Sequence, residues 1–147
     1  MPRSPVPGEA RLDPAALSKI ALVRNVALGT PTTEYHLDAM IDTGATDCII
    51  PPSIARALGF HSGNRIRRQL TNTLGSQVQM DLHRLDHLRV GSAKAWEVRI
   101  GVHTTMPGSR WMIVGLSFMR QFRTTFDFDE GRVLFRARNR MEGTLIV

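Results

Sequence analysis

Asp42 is the residue whose surroundings point to chemistry. It lies in Ala39-Met40-Ile41-Asp42-Thr43-Gly44-Ala45-Thr46-Asp47-Cys48-Ile49-Ile50, between two apolar runs, where a charge is costly unless something uses it. Met40 and Ile41 lead along a buried strand, Gly44 permits a tight turn directly after Asp42, and Ile49 and Ile50 begin a second buried strand. A carboxylate fixed at such a corner is placed to take or give a proton. Thr43 is β-branched, with a hydroxyl that both donates and accepts, and can brace the corner. Asp-x-Gly is also ordinary turn chemistry. On the tripeptide alone, Asp42 reads equally as a turn cap.

A second stretch, Trp111-Met112-Ile113-Val114-Gly115-Leu116-Ser117-Phe118-Met119-Arg120-Gln121-Phe122, reads as a buried strand ending at Gly115. A helix follows, with Phe118, Met119 and Phe122 as its apolar stripe. A packed core accounts for the stripe but not for the glycine, which suits a close approach of two backbones. Together, hydrophobic-hydrophobic-Asp-Thr-Gly-Ala-Thr and hydrophobic-hydrophobic-Gly-x-x-Phe-Met-x-x-Phe resemble the two signatures of the retropepsin-like aspartic proteases. The resemblance covers about residues 20–136 and is closer to the bacterial branch than to the retroviral one.

The resemblance implies an all-β acid-protease barrel with one or two short helices, and half a site per chain, completed by dimerisation. It implies that Asp42 is catalytic, that Thr43, Gly44 and Ala45 support it, and that Ile113, Val114 and Gly115 wall the loop. Thr71, Asn72, Thr73, Leu74 and Gly75 would belong to a flap over an extended peptide or protein substrate. The implied activity is aspartic endopeptidase hydrolysis of peptide bonds, with no metal and no cofactor; the alternative is a non-catalytic peptide-binding or assembly module of the same fold. Retroviral enzymes carry an Asp after the Ala and an Arg after the second-signature Gly, which pair to support the dimer. Here those places hold Thr46 and Leu116.

Peptide hydrolysis without metal or nucleophile needs two close carboxylates, one ionised to deprotonate water and one protonated to polarise the carbonyl. The chain has one Asp-Thr-Gly, and Asp38, Asp81, Asp86, Asp127 and Asp129 lack the Thr-Gly. A two-fold axis that brings Asp42 of each chain together supplies the pair, so the half-site predicts a homodimer.

The elements that must position these residues read in order. Residues 1–18 are Pro-rich and polar like a linker, with a possible single helical turn at Asp13-Pro14-Ala15-Ala16-Leu17, and 19–147 form the protease-like domain. Lys19 to Leu28 and Tyr35 to Ile41 form a hairpin about Gly29-Thr30-Pro31-Thr32. Pro51-Pro52-Ser53 starts a short helix with Ile54 and Leu58 on one face, ended by Gly59. A basic connection follows to Arg68, then a polar hairpin from Leu70 to Met80 that should project from the body. Leu88 to Val90 and Trp96 to Val102 pair as strands, with Trp96, Val98, Ile100 and Val102 inward. Met106-Pro107-Gly108-Ser109 is a loop. Thr124 to Asp129 and Arg132 to Arg138 are the last strands, and the apolar tail Thr144 to Val147 should pair with something.

Composition excludes several other functions. At 147 residues the chain makes one domain. Cys48 is the only cysteine, which rules out an intramolecular disulfide and a cysteine-based zinc site, and it reads as a small buried thiol. The formal charge of +6 would suit an acidic partner, yet Arg132, Arg136, Arg138 and Arg140 alternate with apolar residues as on a solvated strand face, not as in a nucleic-acid patch. His83 and His87 lie four apart but lack the His-Glu-x-x-His interior, and a strand would separate them. No run of eighteen apolar residues and no signal-peptide core occurs. The expectation is a soluble cytoplasmic or periplasmic domain of a bacterial protein, membrane-bound only if an anchor precedes it.

Overall fold

A computed structural model describes residues 3–16, 20–73, 76–103, 111–141 and 144–145, the side chains of 71–73, 76, 140, 141, 144 and 145 left aside. Alternating apolar residues make the strands, and the strands close a barrel. Strands β2 (Leu22–Gly29) and β3 (Glu34–Ile41) form the first hairpin, registered Leu28 opposite Tyr35 and Leu22 opposite Met40. The Thr30 hydroxyl accepts from the Thr33 amide (3.2 Å) in its turn. A bulge between Val23 and Val26 puts Arg24 and Asn25 outside, with Asn25 at φ 56°.

Strand β8 (Trp111–Val114) runs parallel to β3, Met40 beside Ile113 and Ile41 beside Val114. Strand β4 (Cys48–Ile50) meets β8 at Ile49 and runs parallel to β7 (Ala93–His103). Strand β7 pairs with the long β6 (Ser76–Val90), whose far end returns to β2 through Ala27 opposite Arg89 and Gly29 opposite His87. The order β2-β3-β8-β4-β7-β6 is thereby a closed six-stranded barrel, as the all-β retropepsin-like reading requires. Strand β5 (Arg67–Thr73) pairs with the first half of β6 and makes the projecting hairpin, with Thr73 opposite Ser76.

Val26, Leu28, Ala39, Ile41, Ile50, Leu85, Val98, Ile100, Met112 and Val114 fill the barrel, each under a tenth exposed. Burying one such side chain contributes about 1.5–3 kcal/mol. The same core continues below the barrel, where helix α2 (Leu116–Met119) presents Phe118 and, just beyond it, Phe122 to Phe135. The three rings stand 5.2–5.6 Å apart in tilted and edge-on contacts. Helix α1 (Pro52–Ala57) begins with proline in its first turn, and Gly59 follows it at φ 83°, a conformation that favours glycine.

Two expectations change and a third is met. The N-terminal segment is not a linker where it is described: β1 (Gly8–Arg11) pairs with β10 (Arg132–Arg136), which pairs with β9 (Arg123–Asp127). Ala10 and Leu12 are buried in the core, and Val6 exchanges backbone hydrogen bonds with Lys94. Trp96 does not face inward. Glu97 sits at φ 54° and breaks the alternation, so Ala93, Ala95, Val98, Ile100 and Val102 point in. Trp96 lies under Arg3 and Lys94 instead, whose cationic groups are 5.3 and 4.9 Å from its ring centre. The tail residues Thr144 and Leu145, strand β12, pair with β11 (Arg140–Met141) of the same chain. Ile146, Val147 and the Met106-Pro107-Gly108-Ser109 loop lie outside the described residues.

The helical turn after Asp13 is present, with the Asp13 carboxylate accepting from the Ala15 amide at 2.9 Å. Leu17 lies outside the described residues. No helix among the described residues is long and apolar enough to cross a membrane.

Candidate active site

Asp42 follows the last residue of β3, and its amide donates to the Val114 carbonyl (3.0 Å), so the end of β3 is locked to the end of β8. The chain then folds back on itself. The Gly44 amide donates to Asp42 Oδ1 at 2.8 Å and the Ala45 amide to the Asp42 carbonyl at 3.2 Å. A Cβ at Gly44 would stand 3.2 Å from Asp42 Oδ1, tight enough to disturb that bond. Asp42 is half-buried, with Thr43 and Gly44 exposed at the tip. Thr43 also borders a groove of about 190 Å³ formed with Leu116, Met119, Phe122 and Phe126.

Gly115 is the reason the second signature can lie against this loop. A Cβ there would fall 2.5 Å from the Asp47 carbonyl oxygen and 2.6 Å from that of Ala45, both rigid backbone. Directly after it, the Leu116 amide donates to the Ala45 carbonyl (2.8 Å) and the Ser117 amide to the Thr46 carbonyl (2.9 Å). The start of α2 therefore takes up two carbonyls that the loop would otherwise leave bare. Of the residues picked from sequence, Asp42, Thr43, Gly44, Ala45, Ile113, Val114 and Gly115 form one assembly.

Three of the expected flap residues lie on the projecting hairpin. Thr71, Asn72 and Thr73 belong to β5, at the end of the sheet order, and Leu74 and Gly75 lie outside the described residues.

Three participants were not picked from sequence. Asp47 is buried at 3% exposure and pairs with Arg99 Nε. The Ser117 hydroxyl accepts from the Cys48 amide (2.9 Å) and donates to the Arg99 carbonyl (2.7 Å), tying loop, helix and β7 together. Asp47 was legible as a charge just before the apolar Cys48-Ile49-Ile50 run, and Arg99 as an outward position between Val98 and Ile100. Nothing in the sequence pairs them. Cys48 is fully buried, and burial pushes its thiol up, with Ser117 opposing that shift. The two histidines of β6 part company: His83 stacks on Phe60 (4.6 Å between ring centres), whereas His87 lies between Asp86 and Glu34.

Comparison with known proteins bears on this geometry. Residues 33–121 match the family described as "gag-polyprotein putative aspartyl protease", a span that runs from the turn before β3 to just beyond α2 and includes the first signature segment and all of the second but Phe122. No curated protein matches the sequence. Among solved structures, a retropepsin-like aspartic protease from Rickettsia conorii is similar, with a TM-score of 0.62 and 16% identity, over 91% of this chain and 94% of that one. At that identity the likeness is one of fold.

Proposed function

Because the chain belongs to the gag-polyprotein aspartyl protease family and has the retropepsin-like fold, we propose that it is an aspartic endopeptidase in which Asp42 supplies half of the catalytic pair. Asp42 of a second copy supplies the other half. The observation that carries this reading is the loop itself: the one Asp-Thr-Gly of the sequence, turned tightly at the ends of β3 and β8, with its carboxylate accepting from the Gly44 amide.

Two carboxylates brought within about 3 Å cannot both ionise easily and share one proton. The ionised member removes a proton from water as it attacks the scissile carbonyl. The protonated member donates to the carbonyl oxygen; as the C–N bond then breaks, the proton taken from water passes to the leaving amine and the re-forming carbonyl returns its proton to the pair. Thr43, exposed at the tip, is suited to brace the pair across a two-fold axis. An extended substrate would add strand-like hydrogen bonds beside Gly44, under the β5–β6 hairpin.

The test is cleavage of an unstructured protein by wild type and by Asp42→Asn. The variant is expected to lose activity by about a thousandfold or more while keeping its circular dichroism spectrum and melting temperature. A variant that cleaves at the wild-type rate overturns the reading, and a wild type that binds such chains without cutting them points to a non-catalytic module.

A further inference from the structure

Asp47 is the one buried carboxylate among the described residues. It lies on the stalk of the Asp42 loop, not at its tip, and its partner Arg99 is on β7, a different wall of the barrel. The Arg99 side chain is 40% exposed while its Nε is committed to Asp47. The backbone of the same residue is used as well, since the Arg99 carbonyl accepts from the Ser117 hydroxyl.

The stalk is tied down residue by residue. Ala45 and Thr46 accept from the Leu116 and Ser117 amides, the Asp47 carboxylate takes Arg99, and the Cys48 amide donates to Ser117. Beyond the stalk, among the described residues, the tip has the bonds within 42–45 and the tie from the Asp42 amide to Val114. The Gly44 amide that holds the Asp42 carboxylate thus lies on the arm of the loop that the stalk anchors. A buried ion pair is a poor device for stability alone, because an apolar pair of the same volume holds a core as well. A charge-assisted bond to a planar guanidinium has a direction that apolar contact lacks.

We propose that Arg99, through Asp47, is a positioning residue that fixes the angle of the Asp42 loop; the proposal deepens the protease reading and, for its effect on catalysis, rests on it. The experiment compares Asp47→Asn, Arg99→Lys and Arg99→Met in the full chain. Asp47→Asn keeps the shape and leaves no charge buried, whereas Arg99→Met strands the buried Asp47 carboxylate and is expected to be the more destabilised of the two.

For Asp47→Asn, kcat is expected to fall about tenfold or more with KM within about twofold. Amide hydrogen exchange at Gly44 and Ala45 should quicken by about tenfold, while the β2–β3 amides stay protected. Arg99→Lys should recover part of both effects. A kcat that is unchanged, or that falls only in step with the loss of folded protein, overturns the proposal, as does wild-type exchange at Gly44 and Ala45. If wild type shows no Asp42-dependent cleavage, the protease reading fails, and the exchange at those two amides by itself decides whether the pair braces the loop.

Discussion

His83 and His87 lie four residues apart on one strand and meet opposite surroundings. Burial pushes the His83 imidazole below its ordinary value near 6.5, against the pull of Asp81. As pH falls below the ordinary histidine range, the unfolded chain takes up a proton that the folded chain refuses, and stability drops. His83→Phe, which keeps a ring on Phe60, should flatten the fall in the urea midpoint between pH 7 and pH 5; an unchanged slope would show that this histidine is not its source. His87 does the reverse for its neighbours. Its hydrogen bond, ahead of Arg89, holds the Glu34 carboxyl low, and for Asp86 the bonds from His87 and Arg3 outweigh a burial that would raise it. The stability these two carboxylates add is present above the ordinary carboxylate range and is lost as pH falls through their lowered values. At this scale the sequence was readable where a residue type is demanded by its own turn, as at Gly44, or stands in a recognisable signature, as at Gly115. It was silent where a residue needs a distant partner, as at Asp47.

At the scale of elements, β1 shows how composition can mislead. A four-residue strand flanked by prolines has too little alternation to register as a strand, and its pairing partner is remote: Glu9 meets Arg132 123 residues away. Leu12, just after β1, is 1% exposed and packs in the common core. Leu12→Ala should cost about 2–4 kcal/mol in urea unfolding, whereas a residue in a solvated linker would cost close to nothing. The elements that came through intact, the β2–β3 hairpin, α1, β8 and α2, each have their own punctuation: Gly29 and Pro31, paired prolines with Gly59, and Gly115 before an aromatic stripe. The long β7 kept its place, and Val98, Ile100 and Val102 face in as expected; Trp96 alone turns out, because the positive φ of Glu97 shifts the alternation between Ala95 and Val98.

For the whole molecule, the barrel closes where β6 returns to β2, leaving the Asp42 loop on a single chain with a single Asp-Thr-Gly. On the proposed mechanism such a chain works only as a pair, so cleavage per chain should fall on dilution. Sedimentation across the same concentrations should show the transition from dimer to monomer at the midpoint of that fall. Constant activity per chain where only monomer sediments would exclude a shared site.

What the sequence determined by itself was the Asp-Thr-Gly corner, the glycine that faces it and the strand-turn-strand-helix order around them, because turns, caps and periodicity are imposed by neighbouring residues. The tertiary structure decided the rest. Closure through Gly29 and His87, the burial of the N-terminal strand against β10, the seating of Arg3 over Trp96 and the bond from Arg99 to Asp47 all join residues far apart in the chain. Such contacts depend on how whole strands twist and stack, and no local pattern encodes them.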